Sequence, residues 1–350
     1  NSKAVEEIEK LINKSSKKEL IEEVAYTWFN RFTALQYMDI NNFNDVKVII
    51  PTEGKTRPEI LSNAIAGIFH NNIISENTKN KISSLLDGSS SSNNPENDAY
   101  RLLLISVCNK LHSKMPFLFE RISDYTELLI PEDLLSKTSI LASIKGQMTK
   151  DNCKNVEIIG WLYQFYIADK KDIVFEAFKK KNQKIYPENI PAATQLFTPN
   201  WIVKYLVENS LGRIWMLNNP KSNLINQMDF YIPPKEIESN FVEIMSPEEI
   251  KICDPCCGSG HILSYIFDIL YTIYLEEGYQ ESTIPGLILK NNIYGIEIDQ
   301  RAGQLTGFLL IMKSLHKEKT FLKNNIQPNI CILENLKIEN NELNEYMNVL

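Results

Sequence analysis

Chemically active residue types are concentrated in residues 253–263, which have the sequence CDPCCGSGHIL. Cys253, Cys256 and Cys257 could bind a metal ion or form a redox pair, because thiolates do both. The two glycines instead favour a sharp turn that lets the backbone approach a ligand closely. The segment could therefore belong to a metal site, a redox site or the floor of a cofactor pocket.

The metal and redox alternatives find little support elsewhere in the sequence. Structural zinc usually takes four ligands in paired spacings, and Cys253 with Cys256 supplies one pair. The cysteines outside the segment are isolated, and recruiting His261 would require the glycine loop to refold. A redox CxxC pair needs a thioredoxin-like context. We therefore predict no metal site and expect the cysteines to be small apolar side chains packed under the loop.

The elements that must position this loop alternate between strand and helix patterns. The predicted order is a strand ending at Cys253, a helix over 261–277, a strand over 292–299, a helix over 300–316 and a strand over 329–333. This order is typical of one half of a doubly wound α/β sheet. Ligands of such sheets bind at the carboxyl ends of the strands, where Asp254 follows the first strand.

A second acidic residue, Glu297, ends the second predicted strand. A carboxylate at this place can accept hydrogen bonds from both ribose hydroxyls of an adenosyl ligand. Asp254 and Glu297 are 43 residues apart in sequence, and no GxGxxG occurs. NAD is therefore a poor fit, because a dinucleotide fingerprint has a separation of ~20 residues. The glycine loop by itself is weak support, since it could also be a structural turn.

The first half of the chain has mostly helical patterns and no catalytic cluster. The aromatic residues of Val24–Met38 are expected to pack in a core rather than to stack on bases. Residues 85–98 predict a polar loop between helical hairpins, and residues 132–185 predict several helices, including 161–166 and 173–181. Lysines in residues 179–184 fit a solvated helix end, with contact to a phosphate backbone as the alternative.

The predicted division is a helical domain over residues 1–185 and a second domain over 186–350. The second begins with a helix at Phe197–Trp215, for which Thr198 could be the cap and Pro199 fits the first turn. A polar connection over 217–249 leads to the glycine segment.

Composition limits the class of protein. A net charge of −7 argues against a chain that binds nucleic acid through its whole surface, although a local basic groove remains compatible with it. The most apolar stretch, Ile262–Leu275, contains Asp268 and is shorter than the ~20 residues of a membrane span, so we predict a buried helix. The charged first residues and scattered cysteines favour a reducing cytoplasm.

Three short motifs resemble those of DNA methyltransferases that methylate an amino group. FTP at 197–199 is similar to motif X, DPCCGSG at 254–260 to motif I and YGIEID at 294–299 to motif II. Their order resembles N6-adenine methyltransferases of the γ type. From about residue 20 onward, longer stretches such as IPGLILKNNIYGIEIDQRA resemble the large adenine-specific methyltransferases of BREX and phage-growth-limitation defence systems.

The resemblance implies S-adenosylmethionine as cofactor and an α/β methyltransferase fold. Asp254, Gly258 and Gly260 would surround its methionine portion, Glu297 would hold the ribose hydroxyls, and Ile298 would lie beside the adenine. The complete implied set is Phe197, Thr198, Asp254, Pro255, Cys256, Gly258, Ser259, Gly260, Glu297, Ile298 and Glu334.

One departure from the family pattern concerns catalysis. The family's NPPY motif holds the target amine and stacks on the flipped base, and no NPPY, DPPY or SPPY occurs in this sequence. The similar IPPK at Ile232–Lys235 precedes motif I and is predicted to be loop. We therefore expect a fragment of a longer protein, inactive alone, with the catalytic motif beyond Leu350.

The implied partners of the whole protein are double-stranded DNA, mainly through parts beyond this chain, and other phage-defence proteins, with no membrane. Two alternatives stay open. One is an S-adenosylmethionine-dependent methyltransferase acting on RNA or protein, since motifs I and II do not separate these substrates. The other is a non-catalytic assembly module, which the acidic charge and the missing catalytic motif would suit.

Overall fold

The computed structural model describes residues 2–14, 16–120, 122, 129–181, 189–236 and 238–333 of the 350-residue chain. The described residues of the first half are mainly helical, as their sequence patterns predict. The helices are α1 (Ser2–Lys14), α2 (Lys17–Ile40), α3 (Glu59–Ile65), α4 (Glu76–Leu86), α5 (Pro95–His112), α6 (Ile140–Gln147) and α7 (Ile158–Lys181).

Helix α2 shows why the first half folds around aromatic side chains. Tyr26, Trp28, Phe32 and Tyr37 each keep at most 2% of their surface exposed. Burying such large rings dominates the energetics of a core. The prediction that the aromatics of this helix form core rather than a base-stacking platform is confirmed for these four, and Phe29 is half-buried.

The second half contains three short strands separated by helices. In chain order its elements are α8 (Ile190–Thr194), α9 (Asn200–Val207), α10 (Arg213–Asn218), β1 (Ile252–Asp254), α11 (His261–Glu276), α12 (Ile284–Leu287), β2 (Ile293–Glu297), α13 (Gln300–Lys317) and β3 (Asn329–Ile332). Residues 208–212 form a π-helical turn that joins α9 to α10. The predicted order of strand, helix, strand, helix, strand is confirmed.

The three strands form a parallel sheet in the order β1-β2-β3. In its register Asp254 pairs with Gly295, and Glu297 pairs with Ile332. Side chains alternate between the faces of a strand, so Asp254, Gly295 and Glu297 share one face. Helices α11 and α13 cover this face: a Cβ on Gly295 would lie 3.0 Å from Leu263, and one on Gly303 would lie 2.8 Å from Ile332. That these strands are half of a doubly wound sheet stays a prediction.

Described residues of the two halves pack against each other through α13. The Tyr37 hydroxyl lies 2.8 Å from Nε2 of His316, near the end of α13. Phe117 packs against the backbone of Gly307, where an added Cβ would lie only 2.8 Å from the ring. Buried residues of both halves form one hydrophobic cluster. The division into domains at residue 185 stays a prediction.

The start of α9 differs from the expected one. The helix begins at Asn200, and its N-cap residue is Pro199, which makes no side-chain capping hydrogen bond. Thr198 therefore does not cap the helix, and that prediction is wrong. The physical reason is that a residue before proline is driven into an extended conformation, which places Thr198 one residue outside the helix.

Two helices expected over 161–166 and 173–181 are a single helix, α7. Residues 167–172 between them include neither glycine nor proline, so nothing in this segment ends the helix. The apolar stretch Ile262–Leu275 lies in α11, and most of its apolar side chains are buried, as predicted, while Leu275 is exposed. No helix in the described part of the chain has both the length and the apolar character that crossing a bilayer requires.

Candidate functional site

The loop between β1 and α11 depends on two glycines with left-handed backbone. Gly258 has φ 55° and Gly260 has φ 90°, a region that residues with a Cβ rarely adopt. A Cβ on Gly260 would also lie 3.0 Å from the side chain of Thr306 in α13. The Thr306 hydroxyl donates a hydrogen bond of 2.7 Å to the Gly258 carbonyl. Helix α13 therefore packs closely against the glycine loop and hydrogen-bonds to it through Thr306.

Glu297, at the end of β2, hydrogen-bonds to two loops: the glycine loop between β1 and α11 and the loop that follows β2. Its Oε2 accepts a 2.7 Å hydrogen bond from the backbone N–H of Gly258. Its Oε1 accepts from the N–H groups of Ile298, at 3.0 Å, and Asp299, at 2.9 Å. A carboxylate has about four acceptor positions. These three bonds therefore leave room for one further donor, on Oε2.

Asp254, at the end of β1, has an unsatisfied oxygen. Its Oδ1 accepts a hydrogen bond of 3.1 Å from the Cys256 N–H. Its Oδ2 is buried without a hydrogen-bond partner among the described residues. Burial raises the pKa of the Asp254 carboxyl above its ordinary value. A buried acceptor left unpaired typically costs about 1–3 kcal/mol, so this oxygen is suited to a donor on a ligand.

Residues just before α9 lie over the glycine loop. The Phe197 ring meets the His261 ring edge-on, with 6.3 Å between centroids. The buried Gln195 reaches within 3.5 Å of where a Cβ on Gly258 would be. Lys171 in α7 donates a 2.7 Å hydrogen bond to the Gln195 carbonyl. Gln195 was missed in the sequence because a glutamine in a linker carries no signal that separates it from a solvated one.

Glu157, the residue before α7, contacts the first turn of α11 next to the loop. Glu157 Oε1 accepts a 3.1 Å hydrogen bond from the Ser264 hydroxyl, and its Oε2 lies 3.7 Å from Nδ1 of His261. Burial by itself would raise the pKa of Glu157, but the hydrogen bond and charge of His261 lower it overall. Further along the helix, Tyr163 donates a hydrogen bond to the Asp299 carboxylate. These residues were also missed, since the first half shows no recognisable motif.

The structure brings five of the eleven predicted site residues together at one edge of the sheet. Asp254, Gly258, Ser259, Gly260 and Glu297 lie together at the carboxyl ends of β1 and β2.

The other predicted site residues occupy the rim or fall outside the described part. Ile298, next to Glu297, is 49% exposed. Pro255 and Cys256 are exposed in the loop, and Thr198 is half-buried beside Phe197. Glu334 lies outside the described residues.

The cysteines do not pack under the loop as a group, so that expectation is wrong in part. Cys257 is buried, and burial raises the pKa of its thiol to about 12. Cys253 and Cys256 are exposed. The reason is the strand alternation, which points Cys253 to the face of the sheet opposite the helices, while Cys256 lies on the outside of the turn. Within the described ranges, no cluster of three or more histidine, cysteine or acidic side chains is arranged to hold a metal ion.

Comparison of the sequence with known proteins finds one matching family model and two similar methyltransferases. Residues 208–329 match the family model N-6 DNA Methylase. The chain is 40% identical over 330 residues to the adenine-specific methyltransferase BrxX of Escherichia coli O9:H4 (strain HS), covering 91% of this chain and 26% of that protein. It is 37% identical over 339 residues to the adenine-specific methyltransferase PglX of Lacticaseibacillus casei (strain Zhang), covering 92% of this chain and 28% of that protein. The chain thus spans about a quarter of the length of these curated relatives.

Proposed function

We propose that this chain, a homologue of the adenine-specific methyltransferases BrxX and PglX with an N-6 DNA Methylase segment, is the cofactor-binding region of a DNA adenine-N6 methyltransferase. The proposed cofactor is S-adenosylmethionine, and the proposed substrate is adenine in double-stranded DNA. The observation that carries the proposal is the meeting of the glycine loop, Asp254 and Glu297 at one edge of the sheet. We place the enzyme in a restriction-modification or phage-defence system in the cytoplasm, together with other defence proteins.

The residues at this edge fit the chemical groups of S-adenosylmethionine. The unpaired Oδ2 of Asp254 suits the ammonium group of the methionine portion, since it is an acceptor without a donor among the described residues. The first turn of α11 follows the glycine loop directly, and helix N-termini favour a carboxylate. Ile298 offers an exposed apolar side chain for the adenine ring. Glu297 provides the acceptor for the ribose hydroxyls.

Glu297 has to serve two purposes in this assignment. Its carboxylate already accepts three backbone N–H groups, including that of Gly258. With one acceptor position left on Oε2, a second ribose hydroxyl would have to share or replace the Gly258 contact. We infer that cofactor binding changes the glycine loop at Gly258, where no side chain resists the movement.

The cofactor supplies a methyl group already activated by a positive sulfur, so the protein's main task is placement. Asp254 and Glu297 would hold the methionine and ribose portions of the cofactor, and Phe197, whose ring packs against His261, would cover the glycine loop. The sequence contains no NPPY-type motif. The described residues therefore support the cofactor-binding part of the proposal, and the residues that hold the target adenine would have to lie elsewhere in the whole protein.

Calorimetry with S-adenosylmethionine on the full-length protein tests the proposal. We expect binding by the wild type and loss of binding in Asp254→Ala and Glu297→Ala. Asp268→Ala is the matched control, because this carboxylate lies on α11 outside the site and pairs with Lys313. Absence of binding by the full-length wild type would contradict the proposal.

Transfer of a labelled methyl group identifies the substrate. Label in the N6 position of adenine after incubation with double-stranded DNA is the expected result. Label in RNA or protein instead would support the first alternative. Cofactor binding without any transfer would favour a non-catalytic assembly role.

A further inference from the structure

We propose that the beginning of helix α7 and the residue before it, through Glu157, Gly160 and Tyr163, position both loops of the cofactor site from outside the α/β region. The inference rests on the proposed function, because it concerns the same site. It assigns a role in cofactor binding to a part of the chain that has no motif of its own. Glu157, Gly160 and Tyr163 are positioning residues, since each acts through a loop residue.

Tyr163 acts on the loop that follows β2. It is fully buried, and its hydroxyl donates a hydrogen bond to the Asp299 carboxylate. Burial and the Asp299 charge hold the pKa of this hydroxyl far above its ordinary value, so it stays a donor. The backbone N–H of Asp299 in turn donates to Glu297 Oε1 at 2.9 Å. Tyr163 is thus linked through one residue to the carboxylate proposed to hold the ribose.

Asp299, which links Tyr163 to Glu297, is itself held in place by its role at the start of α13. Its Oδ1 caps α13 by accepting a 3.0 Å hydrogen bond from the Arg301 N–H. The Arg301 guanidinium lies 4.5 Å from the ring centre of Tyr26, which packs edge-on against Tyr163. The helical region therefore holds the end of β2 through a hydrogen bond and through stacked charge and rings.

Glu157 and Gly160 act on the other loop. Glu157 contacts His261 and Ser264 in the first turn of α11. A Cβ on Gly160 would lie 3.0 Å from Oγ of Ser259. Ser259 is buried, and its Oγ has no hydrogen-bond partner among the described residues. The glycine loop thus packs directly on the backbone of α7.

The spacing of these three residues explains how one helix reaches both loops. Residues 157, 160 and 163 follow at intervals of three, so they lie along one face of the helical turn. Glu157 contacts the first turn of α11 and Gly160 contacts Ser259, both beside the proposed position of the methionine portion. Tyr163 contacts the loop proposed for the adenosine portion. Because Gly160 and Tyr163 lie on one continuous helix that Glu157 directly precedes, this segment fixes the distance between the two loops.

Two ligands separate the effects of the two contacts. S-adenosylmethionine carries both portions, whereas 5′-methylthioadenosine lacks the amino-acid portion. In the full-length protein we expect Tyr163→Phe to weaken both ligands about tenfold, the usual scale for a lost hydrogen bond to a charged group. Glu157→Gln should weaken S-adenosylmethionine about fivefold and leave 5′-methylthioadenosine within about twofold, since His261 and Ser264 lie beside only one portion.

Two further variants guard against a purely structural explanation. Tyr166→Phe changes a tyrosine on the same helix that packs against Tyr26, and we expect it to bind both ligands as the wild type does. Gly160→Ala should weaken S-adenosylmethionine more than 5′-methylthioadenosine, because its methyl group would push on Ser259. Melting curves without ligand show whether each variant is folded.

The outcomes are distinguishable. Wild-type affinities in folded Tyr163→Phe and Glu157→Gln would overturn the inference while leaving the proposed function intact. Equal weakening of both ligands in all variants, in proportion to lost thermal stability, would also overturn it, because α7 would then be only a structural support. Failure of the wild type to bind S-adenosylmethionine would instead contradict the proposed function.

Discussion

The ends of β1 and β2 are neighbours in one sheet and each carries an acidic residue, yet their hydrogen bonding is opposite. Glu297 at the end of β2 is buried and accepts three backbone N–H groups. Asp254 at the end of β1 accepts one and keeps a buried oxygen unpaired. Buried polar atoms are nearly always paired in native proteins. The acidic residue at the end of β2 therefore uses both of its oxygens in holding the backbone, whereas the one at the end of β1 keeps an acceptor that the described backbone does not use.

The largest effect is expected from removing the Glu297 carboxylate at the end of β2. Glu297→Ala would leave the N–H groups of Gly258, Ile298 and Asp299 without their acceptor. We expect a loss of about 2–4 kcal/mol in the free energy of unfolding, since several hydrogen bonds to a charged group disappear at once. Denaturant unfolding without cofactor measures it. Stability equal to the wild type would show that these bonds do not hold the two loops together.

The same substitution at the β1 end should behave differently. Asp254→Ala removes one hydrogen bond, to the Cys256 N–H, and also removes the cost of the unpaired Oδ2. Because these effects oppose each other, we expect a change in the free energy of unfolding within about 1 kcal/mol. Binding of S-adenosylmethionine should nevertheless be weakened at least about tenfold. Destabilisation as large as that of Glu297→Ala would remove the contrast between the strand ends.

The two ends also differ in how far the sequence predicts them. The order of strands and helices, Asp254, the two glycines and Glu297 follow from local pattern, because strand ends and glycine turns have short-range signals. The bond between Glu297 and Gly258 does not, since it joins residues 39 positions apart. The roles of Tyr163 and Glu157 are even harder to predict from the sequence. Their partners are more than 100 positions away, and a buried tyrosine on a helix looks like any core residue.

A pH titration of cofactor binding sharpens the comparison. Burial raises the pKa of Asp254 above its ordinary value, so this carboxyl takes up a proton at a higher pH than an exposed one. Burial by itself would also raise the pKa of Glu157. His261, the Ser264 hydroxyl and Lys313 together lower this pKa, so the carboxyl stays ionised to a lower pH than an exposed glutamate does. S-adenosylmethionine binding should therefore weaken as the pH falls through the raised pKa of Asp254. Asp254→Asn should remove this dependence along with most of the affinity.

The pH dependence of stability should have opposite signs at these two carboxyls. The raised pKa means that charged Asp254 is unfavourable in the folded state, so protonating it as the pH falls stabilises the fold without cofactor. The lowered pKa of Glu157 contributes stability above its unfolded value, which is lost as the pH falls through the folded value. Unfolding of Glu157→Gln against pH tests this: the acid-side loss should be smaller than in the wild type.

The smallest expected effect concerns the contact that α13 makes with the glycine loop. Thr306→Val removes the 2.7 Å hydrogen bond to the Gly258 carbonyl while keeping a side chain of similar shape against Gly260. We expect a loss of about 1 kcal/mol in the free energy of unfolding, the usual net value of one such bond. Thr283→Val is the control, because that hydroxyl donates to the Gln280 carbonyl in an exposed turn. We expect Thr306→Val to weaken cofactor binding far less than Glu297→Ala, because Glu297 makes the main hydrogen bond that positions the glycine loop. Equal effects of the two substitutions would instead mean that α13 positions the loop.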